Sequence, residues 1–141
     1  MHKQNFLRKN TCEVFFLQEI LFVFFSGFFG YPLIEISWRG YSHPSMAFAG
    51  GICFLGIYYF STSMPNLSTA KIAFFLSVFI TVVEFFFGVI FNILLIINVW
   101  DYSNSAFNLM GQICVSYSVL WFFLCLLLIP LCRFVHNFLF V

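Results

Sequence analysis

The sequence predicts an all-α, polytopic membrane protein: one transmembrane domain over residues 1–141, with four spanning helices arranged as two helical hairpins. Three observations predict it. Hydrophobic side chains make up 62% of the chain and charged ones only 8%. The mean hydropathy is +1.01. The apolar residues also fall into four long runs separated by more polar stretches. Twenty-four phenylalanines among 141 residues exceed what one small soluble core could enclose, so lipid must cover the excess. Lipid-facing positions accept almost any large apolar side chain, and the phenylalanine load needs no ligand-binding explanation. A net charge of +1 offers no electrostatic footprint for nucleic acid.

Crossing the hydrocarbon layer of about 30 Å takes about 20 apolar residues at about 1.5 Å each. Residues 1–13 form a segment carrying Lys3, Arg8 and Lys9, followed by a first span over 14–37. That apolar stretch is too long for a signal-peptide core and shows no small-residue cleavage site, so it reads as a retained span. The second span, 46–60, is the shortest and carries Gly50, Gly51 and Gly56. It is either a thin span packed among its neighbours or a segment that dips in and returns. The third span covers 72–99 and the fourth 113–140. Pro32 and Pro130 are expected to kink the first and last helices, because proline removes a backbone donor and crowds the preceding turn. With four spans, Lys3, Arg8, Lys9, Lys71 and Arg133 share one side and only Arg39 lies on the other. The positive-inside rule then places both termini in the cytoplasm.

Two loops would share the outer face, and they resemble each other. Trp38-Arg39-Gly40-Tyr41-Ser42 leads to Cys53, and Trp100-Asp101-Tyr102-Ser103 leads to Cys114. The tryptophan-to-cysteine spacings are 53 − 38 = 15 and 114 − 100 = 14, compatible with a parallel 2+2 repeat of one helical hairpin. Interfacial enrichment of tryptophan and tyrosine explains the same likeness without duplication. Glu35 stands one turn before Arg39, an i,i+4 pair in the favourable order, while Asp101 offers Arg39 a rival partner. An arginine shared by both carboxylates would clasp the hairpins together. Left exposed, the same pairs would contribute about 0–1 kcal/mol.

Ser77, Thr81, Glu84, Gly88 and Asn92 fall within about 80° of one another at about 100° per residue, a polar seam on the third span. A carboxylate at that depth costs roughly 3 kcal/mol or more in lipid, so Glu84 needs a partner or a function. One explanation is structural: the seam hydrogen-bonds to other helices, with Gly88 allowing close approach. The other is a lining for a cation, proton or small polar solute, with Glu84 as the titrating group and Asn92, Thr81 and Gln112 beside it.

Cys114, Ser118, Cys125 and Cys132 share a face with Trp121 on the fourth span and read as a small-residue packing groove. The five cysteines form no C-x-x-C motif, and His2, His43 and His136 lack metal-ligand spacing, so neither metal nor cofactor is expected. There is no G-x-x-x-x-G-K-[ST] phosphate loop, hence no ATP hydrolysis within these residues. No nucleophile and base pair stands at helical spacing, so no catalytic residue is expected and the chain reads as a non-enzyme.

Five strings carry a family resemblance: Glu35-x-x-Trp38-Arg39-Gly40-x-Ser42-His43-x-Ser45-Met46, Gly50-Gly51-Ile52-Cys53, Thr81-x-x-Glu84-x-x-x-Gly88-x-x-x-Asn92, Trp100-Asp101-Tyr102-Ser103 and Asn108-x-x-Gly111-Gln112-Ile113-Cys114. Together, over about residues 27 to 133, they resemble the CmpB-type ABC-transporter type IV family and, more distantly, the vertebrate transmembrane protein 229 group. The resemblance implies a small multi-pass protein of the bacterial plasma membrane. It marks Glu35, Trp38, Arg39, Glu84, Asn92, Trp100, Asp101, Tyr102 and Gln112. Two functions follow as expectations. In one, the chain is a permease-like subunit binding its solute at Glu84, with an outer cluster of Glu35, Trp38, Arg39, Trp100, Asp101 and Tyr102. In the other, it is a non-transport assembly protein that recruits a partner. Four spans enclose little space, so transport would call for a homo-oligomer or a separate ATPase or membrane subunit.

Overall fold

The computed structural model describes the backbone of residues 2–140 and the side chains of residues 14–140. Lys3, Arg8 and Lys9, on which the orientation argument leans, lie outside the described side chains. Four long helices run in chain order: α1 (His2–Arg39), α2 (Pro44–Ser63), α3 (Thr69–Gly88) and α4 (Val115–Leu139). Each contains a segment long and apolar enough to cross a membrane. α1 packs chiefly on α2, and α3 on α4, giving the two expected hairpins; α2 also packs on α3 and α4. Large apolar side chains such as Phe15, Phe75, Leu127 and Phe138 point outward, as bilayer-facing positions require.

The second span is longer than its apolar run. His43 caps α2 by accepting the Ser45 N–H on Nδ1 at 3.2 Å, and Pro44 takes the first helical position, where its missing N–H costs nothing. At the other end Arg133 Nε donates to the Ser61 carbonyl at 2.9 Å, satisfying an acceptor in the last turn. The helix thus covers 44–63 rather than 46–60, and its 20 residues are long and apolar enough to cross a membrane. The glycines of α2 serve close packing. A Cβ on Gly50 would fall 2.8 Å from the Gly27 carbonyl oxygen, and one on Gly27 only 2.5 Å from that of Gly50, so α1 and α2 cross backbone to backbone there. α1 and α4 continue as helices through Pro32 and Pro130.

The third span departs most from expectation. It is α-helical to Gly88, continues as a π turn over Val89–Leu94, and then unwinds, so it ends five residues before the expected Val99. Residues 95–114 fold back over the bundle as a loop containing two short antiparallel strands, β1 (Asn108–Leu109) and β2 (Ile113–Cys114). The fourth helix accordingly begins at Val115, not 113.

The tryptophan-to-cysteine register of the proposed repeat is not kept in space. Trp38 is 80% exposed at the end of α1, whereas Trp100 is buried beneath the long loop. Cys53 sits inside α2, while Cys114 precedes α4. One connection is the four residues 40–43 and the other is a folded loop, so matched spacing does not give matched geometry.

The main core lies where α2, α3 and α4 meet, around Ile57, Leu76, Ile80, Cys125, Ile129 and Cys132, with Val23 of α1 buried in it. The expected small-residue groove of α4 is this packing face, with its cysteines acting as compact apolar side chains.

Candidate functional site

Glu84 is 6% exposed, on the inner face of α3. Its Oε2 accepts from the indole Nε1 of Trp121 on α4 at 3.1 Å, and its Oε1 from the hydroxyl of Tyr102 in the long loop at 2.9 Å. The carboxylate therefore ties α3, α4 and the loop at one point. Burial, and then the adjacent Glu84 carboxylate, push the Tyr102 phenol above its ordinary range, so it stays a donor. Tyr102 stacks on Tyr117 with ring centroids 4.5 Å apart, which fixes its direction. Among the described residues Glu84 has no cationic partner.

All four helices contribute to a cavity of about 170 Å³ with Glu84 in its wall. Tyr31 and Gly50 come from the α1–α2 hairpin, Phe87 from α3, and Trp121 and Leu128 from α4. The close α1–α2 crossing at Gly27 and Gly50 forms one wall.

Asn92 and Gln112 organise the loop. Asn92 Nδ2 donates to the Gln112 Oε1 at 2.8 Å and the Trp100 carbonyl at 3.0 Å, and Asn92 Oδ1 accepts from the Val99 N–H at 2.6 Å. Gln112 Nε2 donates to the Met110 carbonyl at 2.9 Å, and the Gln112 carbonyl receives the Trp100 indole N–H, also at 2.9 Å. Both amide side chains are thus engaged by the chain's own loop. Gly88 lets this network settle on α3: a Cβ there would come within 2.6 Å of Gln112 Oε1 and 3.1 Å of Trp100 Cζ2. Thr81, one turn from Glu84, donates to the Ser77 carbonyl at 2.8 Å, and its hydroxyl lies 2.9 Å from that of Ser118 on α4.

At the loop end of the bundle, Arg39 pairs with Glu35 as the i,i+4 order expects, and Ser42 Oγ donates to the second Glu35 oxygen at 2.5 Å. The rival bridge is not formed. Asp101 is fully exposed, and its Oδ1 accepts the Ser103 N–H at 2.8 Å and the Ser103 hydroxyl at 2.5 Å. These bonds hold its carboxyl below the usual carboxylate range. Arg39 reaches the second hairpin by another route, a long 3.4 Å contact from Nη1 to the Val99 carbonyl. Its guanidinium also lies over the Tyr41 ring, 4.8 Å from the centroid.

One cluster went unread in the sequence. Near the opposite end, Tyr58 of α2 donates to Glu19 of α1, and His136 Nδ1 of α4 lies 2.6 Å from the Tyr58 oxygen and 3.1 Å from Glu19 Oε1. An acid in the first apolar run and a histidine in the last are a signal, since ionisable groups within spans seek each other. Trp121 carried a signal too: an indole N–H inside a span requires an acceptor, and Glu84 is available on the neighbouring helix.

Among the described residues no group of three or more His, Cys, Asp or Glu side chains could hold a metal ion. No curated protein and no solved structure matches the chain. A family model does match, over residues 20–140, and its description is "Putative ABC-transporter type IV". With that match spanning most of its length, this four-helix membrane chain belongs to the CmpB-type ABC-transporter type IV family.

Proposed function

We propose that the chain is a non-enzymatic, permease-like subunit of the bacterial cytoplasmic membrane, with both termini cytoplasmic and Glu84 as its solute-contacting group. The observation that carries this reading is a buried carboxylate in a cavity wall, without a cation beside it among the described residues. Ionisable groups inside membranes are costly, and an uncompensated one is retained where it binds or relays something. Asn92 and Gln112 position the loop rather than contact solute, because their polar atoms are already engaged. Thr81 braces α3 against α4 beside the site. Glu35, Arg39 and Ser42 order the short connection, Trp100 anchors the long one, Tyr102 links it to Glu84, and Trp38 and Asp101 face outward. A small cavity is not a through-path, so transport would use a second copy or a separate ATPase and membrane subunit. In reconstituted vesicles containing the assembled system, Glu84→Gln should abolish flux while the folded chain persists; undiminished flux would reject the role.

A second reading rests on a different observation. Glu84 accepts from both α4 and the loop, which suits an assembly protein whose polar seam organises its helices. Here Glu84→Gln should lower the melting temperature or release a co-purifying partner. An unchanged melt with the complex intact would remove this reading.

A further inference from the structure

We propose, building on the reading of Glu84 as the solute-contacting group, that its cavity binds a small lipophilic organic cation, an ammonium carrying one aromatic or branched apolar group.

Size sets the first bound. The cavity is about 170 Å³, and an engineered apolar cavity of about 150 Å³ accommodates benzene, so one ring or branched alkyl group fits and a disaccharide or nucleotide does not. Wall chemistry sets the second. Ile57, Val83, Phe87, Leu124 and Leu128 present only carbon, and the hydroxyl of Ser26 at the rim is engaged with the Phe22 carbonyl at 2.7 Å. A hydrated metal ion needs several oxygen ligands and a sugar needs several polar partners, which these walls lack. Charge sets the third. Glu84 repels an inorganic anion, while a bound cation would compensate a carboxylate that no described side chain neutralises.

The carboxylate can still receive such a ligand. Each oxygen accepts one bond, from Tyr102 or Trp121, and each has a second lone pair. The rings of Tyr31 and Trp121, both in the wall with centroids 6.1 Å apart, would favour the positive head through their π faces. Ser26 and Ile34, exposed residues of α1, also line the cavity. Its rim therefore reaches the apolar side of the bundle, and entry from the hydrocarbon suits a solute that partitions into lipid.

The test uses the full-length chain in a non-ionic detergent, following tryptophan fluorescence on titration with benzylammonium chloride, benzyl alcohol, sodium benzoate or sodium chloride. Benzylammonium should bind saturably; the neutral and anionic analogues should bind more weakly by about tenfold or more, as expected for loss of one charge-assisted hydrogen bond. Glu84→Gln should lose about as much. Leu128→Trp, which keeps the carboxylate but fills the cavity, should also abolish binding, so the result does not hang on one variant's fold. Equal binding of the three aromatic probes, undiminished binding by Glu84→Gln, or no saturable response to benzylammonium would overturn the proposal. Glu84-dependent flux of another solute without benzylammonium binding would also overturn this substrate class, while leaving the transport reading standing. Selective, Glu84-dependent benzylammonium binding without flux of any solute would support the site and overturn transport.

Discussion

Glu84 and Glu35 are both buried acids near the loop end of the bundle, yet they have opposite surroundings. Glu35 has a guanidinium beside it, whereas Glu84 has two neutral donors. Removing Arg39 should therefore leave the Glu35 carboxylate with only the Ser42 hydroxyl beside it; losing a buried partner typically costs about 3–5 kcal/mol, reduced here because the pair retains some exposure, and the loss would be read as a lower unfolding midpoint. Trp121→Phe removes one donor from Glu84 and should cost about 1–3 kcal/mol, read as a shift of the unfolding transition. Asp101 has a pH signature. Its folded carboxyl titrates below the ordinary value near about 4, so its stabilising contribution is complete above that value and fades as pH falls through the lower folded one. The Ser103 N–H should accordingly be protected from hydrogen exchange while Asp101 is ionised and lose that protection on acidification. Asp101→Ala should remove that acid-dependent change in protection; its persistence in the variant would refute the assignment.

At the scale of elements, the four helices were legible because each lies in a run of 20 or more residues with a high mean hydropathy, which the sequence shows directly. The long loop was not. Ile93 to Val99 is as apolar as any span, and hydropathy cannot tell a continuing helix from a chain that turns back. The distinction is made by Asn92, whose three hydrogen bonds hold Val99, Trp100 and Gln112 over the helix end. Helical spacing placed Glu84, Asn92 and Gly88 on one face, but not which group each would meet, since those partners lie on another helix or a folded loop. Glu19, Tyr58 and His136 escaped for the same reason: separations of 39 and 78 residues carry no local pattern. Two glycine contacts test the packing. Gly88→Ala should disturb the Gln112–Trp100 network and cost about 1–3 kcal/mol, with greater exposure of Trp100 to a soluble quencher. Gly27→Ala should destabilise by a similar amount by forcing α1 from α2, measurable as weaker crosslinking between cysteines introduced along those helices.

For the whole molecule, all four helices meet in one core, and α1 also forms a wall of the cavity. α2, α3 and α4 supply most of the main core, Val23 of α1 is buried in it, and α1 also packs on α2 and lines the cavity. One such unit supplies a chamber, and assembly would supply the path. Crosslinking in native membranes should capture a second copy or a partner subunit; a chain that remains alone while transporting would contradict the assembly requirement. Family membership narrows the setting, and the proposed solute contact rests on one carboxylate. The most direct measurement is the initial rate of solute entry into vesicles for Glu84→Asp and Glu84→Gln at matched amounts of folded protein. A measurable fraction of the parent rate with the shorter carboxylate and none with the amide is the predicted result. Equal rates for the two variants would contradict it.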